Sequence, residues 1–183
     1  MQLLKRDASF RILACTPSNA AADLLAERLA AAGLTMDQLL RLNARSREKK
    51  SIPAAVQPFS ASPKREKMRN YRVVLSTCSS AALLRGPRLG IRAGHFSHIV
   101  VDEAAQVDEP LALIPISLFS NQDTNIILAG DPNQLGPVIK SNSASKAGLR
   151  KSFLERLMHI PEIYKLSRSN TLVLFFTLLG CDP

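Results

Sequence analysis

The stretch HIVVDEAAQ, residues 98–106, decides which fold the rest of the chain adopts. Its short apolar run at 99–101 ends directly in the carboxylates of Asp102 and Glu103. This order is typical of a buried parallel strand that delivers acidic groups to the carboxyl edge of a sheet, where the ligands of α/β proteins bind. Asp102 can hold a Mg²⁺ through its water shell, and Glu103 can polarise a water for attack on a phosphate. For these residues alone, a solvated strand end or helix start is the simpler interpretation.

A second apolar run, at 125–129, favours the functional interpretation of Asp102 and Glu103 over a plain strand end. It opens into the turn GDPN at 130–133 and then reaches Gln134. The sequence therefore predicts two strands that present polar groups at one sheet edge. Gln134 carries no charge and can both donate and accept hydrogen bonds, so it can contact a γ-phosphate or its attacking water. A plain strand-to-turn connection also explains this stretch, because Gly, Asp, Pro and Asn favour turns.

Two further apolar runs, at 10–14 and 72–78, predict strands that end in small residues with hydroxyl groups. The first is followed by a predicted helix that starts at Ser18 or Asn19, runs through Ala32, stops at Gly33 and carries Leu25, Leu29 and Ala32 along one face. Its free amide groups, with the hydroxyls before it, can bind a nucleic-acid phosphate. Ordinary helix capping accounts for the same residues. Later helices are predicted after Asp108 and across 152–158.

These stretches resemble the motifs of superfamily 1 RNA helicases of the Armitage-type and Mov-ten-like branch, which acts in RNA silencing. The similar segments are DEAAQ at 102–106 for motif II, GDPNQLGPV at 130–138 for motif III, TPSNAAADL at 16–24 for motif Ia and the end of the run 72–78 for motif Ic. The segment 141–157 also resembles this branch. The resemblance implies an α/β fold, a partial RecA-like P-loop NTPase domain with a mostly parallel sheet flanked by helices. It covers the first RecA-like domain at 1–165, followed by an atypical tail at 166–183.

The resemblance also implies a function, an ATP-dependent RNA helicase that acts on single-stranded RNA in RNA silencing or RNA decay, with ATP and Mg²⁺ as cofactors. By this resemblance Asp102 binds the metal, and Glu103 and Gln134 are catalytic. The implied nucleotide contacts are Asp102, Glu103, Gly130, Asp131 and Gln134. The implied RNA contacts are Thr16, Pro17, Ser18, Asn19, Thr77 and Ser79. RNA-silencing proteins are the expected protein partners, and the oligomeric state stays open.

The formal charge of +9 is concentrated in one window. Between Arg41 and Arg72 ten Lys or Arg residues face two Glu residues, a net charge of +8. Such a segment favours a polyanion partner, and we expect Lys64, Arg65 and Lys67 in the long loop 43–70 to contact RNA phosphates. A solvated loop without a ligand is the alternative.

The chain contains no Gly-x-x-x-x-Gly-Lys-Ser/Thr pattern, the P-loop that binds the β- and γ-phosphates. We therefore predict that the isolated chain does not hydrolyse ATP. The alternative function is a non-catalytic RNA-binding or decoy module from a truncated form, and a weaker third is action on DNA.

Other residues exclude several classes of protein. Three widely spaced cysteines predict neither a zinc site nor a disulfide framework. His95 and His98 are interpreted as structural, since neither has a partner at a metal-ligand spacing. The longest apolar run, 171–179, is too short to span a bilayer, and no membrane partner is expected. The amino terminus does not resemble a signal peptide, so a cytoplasmic location, with RNA granules included, is expected. An exposed apolar tail would promote association.

Overall fold

One sheet with helices on both faces forms the computed structural model, which describes residues 1–60, 63–131 and 134–160 and the backbone of 172–177. The strands are β1 (Ile12–Thr16), β2 (Leu39–Arg41), β3 (Val73–Thr77), β4 (His98–Val101), β5 (Asn125–Gly130) and β6 (Leu172–Thr177). The helices are α1 (Gln2–Arg6), α2 (Asn19–Ala31), α3 (Glu109–Phe119), α4 (Asn142–Ala144), which continues into a π-type turn at Ser145–Leu149, and α5 (Phe153–Met158). Among these residues no helix has the length and apolar character needed to cross a membrane.

The sheet has the strand order β2-β3-β1-β4-β5-β6. The first five strands are parallel, and β6 pairs antiparallel along the whole of β5. The predicted α/β fold with a mostly parallel sheet is confirmed. Parallel strands need apolar side chains on both faces, because helices cover both. In β1, Leu13 and Cys15 face one core cluster while Ile12 and Ala14 face the other.

Helix α2 has the predicted ends, and most of its predicted apolar face packs against the core. The Ser18 hydroxyl accepts a hydrogen bond from the Ala21 amide at 3.2 Å, and Gly33 follows the helix with a φ of +99°. The buried residues are Ala22, Asp23 and Ala26. Leu25 and Leu29 are half-buried and pack against the core cluster that contains Ile12, while Ala32 is exposed. Small side chains let α2 approach the sheet closely, and Asp23 is buried because it pairs with arginines.

The basic loop after β2 is more ordered than the sequence predicted. It contains three short 3-10 turns, at Lys49–Ser51, Gln57–Phe59 and Arg65–Arg69. Ile52, Val56 and Met68 are buried and attach the loop to the two core clusters. Most other described residues of the loop are exposed, as expected of a surface loop, and apolar side chains at intervals along it contribute to the core.

The tail at 166–183 lies outside the described residues except for β6. The backbone of β6 pairs with β5 from Asn125↔Thr177 to Gly130↔Leu172. The tail had no expected place in the fold, and this part of it completes the sheet.

Candidate functional site: the carboxyl edge of the sheet

Two acidic residues lie at the carboxyl end of β4, as predicted. The Asp102 amide donates to the Cys15 carbonyl at 2.8 Å, which continues the ladder between β1 and β4 by one residue. The Asp102 Oδ1 accepts a hydrogen bond from the Glu103 amide at 3.1 Å. Both residues are half-buried. Their carboxylates are therefore held at the sheet edge and remain accessible to a ligand.

Glu103 adopts a left-handed conformation with a φ of 55°, the one positive φ of a non-glycine residue in the described part of the chain. This conformation costs about 1 kcal/mol or more for a residue with a Cβ. A 3-10 turn at Ala104–Gln106, with Ala104 and Ala105 buried, holds it in place. The Gln106 side-chain amide donates to the Glu103 Oε2 at 3.0 Å. The strained backbone therefore belongs to the predicted catalytic residue, and the Gln106 side chain orients its carboxylate.

The end of β5 packs directly against this turn. A Cβ on Gly130 would lie 2.9 Å from the Ala105 amide nitrogen and 3.0 Å from that of Ala104. Atoms essentially never approach a Cβ so closely, so glycine is required here. The two polar segments that the sequence predicted at one edge are in contact, and Gly130 makes the contact possible.

The segment after β5 carries the remaining predicted nucleotide contacts. The Gln134 side-chain amide donates to the Asp131 Oδ2 at 3.2 Å, and Gln134 is exposed. Residues 132 and 133, between them, lie outside the described part. Leu135 and Val138 are 85% and 90% exposed. This segment presents both polar and apolar groups to solvent beside the acidic edge.

The acidic edge suits a magnesium-bound nucleotide, although it supplies only part of such a site. Mg²⁺ prefers carboxylate oxygens and retained waters. Within the described residues, neither Asp102 nor Glu103 makes an ion pair with a lysine or arginine. Their charge is therefore not offset by an ion pair within the described residues. The phosphate-binding loop that would complete the site is not in this sequence.

The predicted RNA contacts follow β1 and β3, and the sheet register brings Thr16 beside Thr77. Both residues are buried. The Thr16 hydroxyl donates to the Ser18 carbonyl at 2.8 Å, and the Thr77 hydroxyl donates to the Ser80 hydroxyl at 2.9 Å. These two threonines therefore shape the turns that follow their strands. Ser18, Asn19 and Ser79 are exposed and Pro17 is half-buried, so these four present the accessible surface.

The structure places Lys64, Arg65 and Lys67 on the loop that leads into β3. Arg65 and Lys67 lie in the turn Arg65–Arg69 before the start of β3. A strand of five residues is roughly 16 Å long, and that length separates this turn from the hydroxyl groups at the other end of β3. Lys64 directly follows Pro63, which lines a cavity together with Arg45. The contact of these three residues with RNA stays a prediction.

Sequence reasoning missed a basic residue that does lie beside the hydroxyl groups. Arg45, four residues after β2, lines a shallow cavity of about 370 Å³ together with Ser79 and Ser80. A neighbouring cavity of about 250 Å³ shares Arg45 and adds Lys49 and Arg88. Since β2 pairs with β3, the residues after both strands meet at one edge. The sequence does not show that β2 pairs with β3, so it could not place Arg45 beside Ser79.

A buried ionic cluster lies next to Asn19, one of the predicted RNA contacts. The Asp23 carboxylate accepts hydrogen bonds from Arg41 Nε and Arg47 Nη1, each at 2.9 Å, and from Arg47 Nη2. Arg41 Nη2 also donates to the Asn19 Oδ1 at 2.9 Å. Because arginine only donates, the Asn19 Nδ2 faces away from the cluster and is available to an acceptor. The cluster thus orients one of the predicted RNA-binding side chains.

The cluster also corrects the interpretation of the basic window. The side chains of Arg41, Arg47 and Asp23 are 0%, 8% and 6% exposed, so neither arginine contributes to a charged surface. Burial acts to raise the pKa of Asp23, but hydrogen bonds from Arg47 and the charge of Arg41 outweigh it and hold that pKa below its usual value. Arg72 is likewise engaged, because it donates to the Leu4 and Asp7 carbonyls at 2.9 and 2.7 Å.

His98, Cys15 and Cys78 are buried in the core of the sheet. His98 is buried in β4, and its Nδ1 lies 3.0 Å from the Ser97 hydroxyl. Cys15 and Cys78 are buried free thiols, and Cys181 lies outside the described residues. No group of three or more potential metal-ligating His, Cys, Asp or Glu side chains occurs in the described part of the chain.

The sequence is similar to a known domain family and to several known proteins. The AAA domain family model matches residues 35–142. RNA helicase Mov10l1 of Homo sapiens is 46% identical over 153 residues, 82% of this chain and 12% of that protein. Probable RNA helicase armi of Drosophila melanogaster is 33% identical over 183 residues, 86% of this chain and 15% of that protein. The Regulator of nonsense transcripts 1 homolog of Arabidopsis thaliana is 33% identical over 187 residues, 81% of this chain and 14% of that protein.

The chain therefore spans less than a sixth of the length of these relatives. The family model covers more than half of the chain, and it includes the acidic strand end, Gly130 and Gln134. The chain belongs to the AAA domain family, in the branch of RNA helicases that contains the Armitage-type and Mov-ten-like proteins.

Proposed function

We propose that this chain is part of the first RecA-like domain of an ATP-dependent helicase that moves on single-stranded RNA, in RNA silencing or RNA decay. The observation that carries the proposal is the contact between the turn after Glu103 and Gly130 at the carboxyl edge. That contact places two carboxylates next to the segment of Asp131 and Gln134. The names of the relatives support RNA as the substrate, since two of them are called RNA helicases.

Each residue of the acidic edge has a role in this proposal. Asp102 would hold the magnesium ion of the nucleotide, a group that would supply positive charge beside the phosphates. Glu103, oriented by Gln106, accepts a proton from the attacking water. Gln134, tethered to Asp131, contacts the γ-phosphate or that water.

The activity requires more than this chain contains. Loss of the phosphate-binding amides or of a charge-stabilising arginine costs orders of magnitude in phosphoryl transfer. We expect the 183-residue chain to hydrolyse ATP no faster than its Glu103→Gln variant, with or without RNA. RNA-stimulated hydrolysis that Glu103→Gln abolishes would contradict this expectation.

The RNA side can be tested on the chain itself. In the proposal, Asn19, Ser79 and Arg45 contact successive phosphates, because all three are exposed where β1, β2 and β3 end. We expect Arg45→Gln to weaken the binding of a fluorescent single-stranded RNA several-fold. The salt dependence of the affinity should also fall by about 0.7 in slope, the loss of one single-strand phosphate contact. Arg28→Gln, an exposed change of the same charge on α2, serves as the control.

Equal binding by Arg45→Gln and Arg28→Gln would refute an RNA path along this edge. A matched DNA strand tests the sugar preference, because a protein that contacts the 2′-hydroxyl binds RNA more tightly. Neutralising Lys67 tests the predicted second contact region, since Lys67 lies in the turn that leads into the start of β3. Only an RNA long enough to cover roughly 16 Å should respond to that change.

A non-catalytic RNA-binding module is the second candidate function, and the absence of a P-loop pattern from the chain favours it. Both proposals predict RNA binding by the chain alone. They differ in a longer polypeptide that contains this sequence, where only the helicase proposal predicts ATP hydrolysis that depends on Glu103.

A further inference from the structure

A cavity of about 330 Å³ opens at the amino edge of the sheet, the end opposite to the acidic carboxylates and the hydroxyl groups. One wall is the turn Arg65–Arg69, which leads into β3. The other wall is the loop 90–95, which leads into β4. Because parallel strands begin at the same edge, these two segments lie side by side although about 20 residues separate them in the chain.

The walls of this cavity carry positive charge and no negative charge. Arg65, Arg69 and Arg92 line it, and no acidic residue does. In the part of the chain that the structure describes, none of these three guanidinium groups makes an ion pair. Arg11 lies close by, since its guanidinium donates to the Arg69 carbonyl at 3.2 and 3.1 Å. Several like charges without a counter-ion repel one another, and an anion between them would offset that repulsion.

Backbone conformation gives the cavity a defined shape. A Cβ on Gly90 would lie 3.3 Å from the Arg65 Cζ, so the guanidinium rests against the backbone at that glycine. Gly90 has a φ of +58° and Gly94 a φ of +77°, conformations that favour glycine. The Gly94 amide donates to the Phe119 carbonyl at 2.9 Å, which anchors the loop to the end of α3. The Gly90 amide also donates to the Gly86 carbonyl at 2.8 Å, so backbone hydrogen bonds hold the loop of Arg92 at both glycines.

His95 forms part of the cavity wall, and its pKa depends on the charged groups around the cavity. Its Nε2 is buried and has no hydrogen-bond partner among the described residues. Burial lowers the pKa of His95, and the positive charges of Arg11 and Arg69 lower it further. The imidazole is therefore neutral at pH 7, and an anion placed near the arginines would raise this pKa.

We propose that the cavity binds a phosphate group through Arg65, Arg69 and Arg92. Planar guanidinium groups donate pairs of hydrogen bonds that match phosphate oxygens, and a phosphate can accept from three such groups at once. The phosphate comes either from an RNA backbone or from a free compound such as pyrophosphate. The site is separate from the nucleotide and RNA contacts proposed at the carboxyl edge and does not depend on them, and it shares Arg65 with the predicted contacts of the basic loop.

The test compares two double variants that lose the same charge. Arg69→Gln with Arg92→Gln removes two of the three cavity arginines and leaves Arg65. Arg28→Gln with Lys146→Gln removes two exposed cations elsewhere. Binding of pyrophosphate, and of a five-nucleotide RNA with hydroxyl groups at both ends, is measured by calorimetry at low salt. Thermal unfolding followed by circular dichroism checks that both variants fold.

We expect the cavity variant to bind its phosphate source at least about tenfold more weakly, the effect of losing one charged hydrogen bond, and the control to bind as the unchanged protein does. A loss seen only with pyrophosphate assigns the cavity to free phosphate compounds. A loss seen with the RNA assigns it to the nucleic-acid backbone. Equal binding by both variants, or no binding of either probe by the unchanged chain, overturns the proposal.

A second measurement places the ligand. The imidazole resonances of His95 are followed by NMR during the titration, with the exposed His159 as an internal reference. The proposal predicts that the bound probe shifts the His95 signals and raises the pKa of His95. Binding that leaves these signals unchanged would place the anion elsewhere and overturn the proposal.

Discussion

The buried cluster of Asp23, Arg41 and Arg47 supports a quantitative prediction about stability. Replacing Asp23 with Asn keeps the volume of the side chain and removes the one carboxylate that two guanidinium groups share. Arg41 is fully buried and Arg47 is 8% exposed, so water cannot replace the lost charge. Removing one partner of a buried ion pair costs about 3–5 kcal/mol. Since small domains are stable by about 5–15 kcal/mol, a large part of the stability would be lost.

The assay is urea unfolding of the chain followed by far-ultraviolet circular dichroism. Asp37→Asn is the matched control, because it makes the same chemical change at an exposed position. We expect Asp23→Asn to lower the unfolding midpoint strongly and Asp37→Asn to leave it nearly unchanged. Arg47→Gln should cost less than Arg41→Gln, since Arg41 is the more buried arginine. A loss below about 1 kcal/mol for Asp23→Asn, the value of an exposed pair, would refute the reasoning.

The unchanged chain and its Asp23→Asn variant should also differ in how their stability depends on pH. The pKa of Asp23 in the folded chain lies below its usual value of 3.8. Its contribution is therefore fully present above pH 3.8 and is lost as the pH falls through the lower folded-state pKa. The difference in stability between the unchanged chain and Asp23→Asn should stay constant from neutral pH to about pH 5 and shrink in stronger acid.

Two further predictions concern the acidic edge. Gly130→Ala should lower the free energy of unfolding by about 1–3 kcal/mol, because the new Cβ would lie 2.9 Å from the Ala105 amide nitrogen; an unchanged unfolding midpoint would show that the two segments are not packed together. Glu103→Asn should raise the free energy of unfolding by up to about 1 kcal/mol, because Asn tolerates the left-handed conformation. The same change removes the proposed catalytic carboxylate. Urea unfolding measures both effects, and destabilisation by Glu103→Asn would mean that the conformation is not strained.

The sequence was sufficient to predict the acidic edge. The apolar runs before Asp102 and Gly130 are long enough for buried strands, and a parallel sheet places the ends of such strands together. Chain order alone, however, does not specify which strands are neighbours. Arg45 could not be placed beside Ser79 without the pairing of β2 with β3.

Buried charges were the other feature that local patterns did not reveal. In a window with ten cationic residues, Arg41 and Arg47 look like part of a solvated surface. Their partner, Asp23, is 18 and 24 residues away and stands in a helix that otherwise buries alanines. A pairing at that separation depends on how the helix crosses the sheet, which is a property of the assembled fold. The αL conformation of Glu103 is equally a product of packing, because nothing in the sequence around it requires a left-handed residue.

The hydrogen bond from the Asp102 amide to the Cys15 carbonyl determines how the two groups at the carboxyl edge are connected. Cys15 is followed by Thr16, which shapes the turn of Ser18, so one peptide unit of β1 lies between the acidic strand end and the turn that carries the hydroxyl groups. All five residues of β1 are buried, with no more than 8% exposed. The link between the two groups is therefore shielded from solvent, whereas Ser18 and Asn19 after it are exposed.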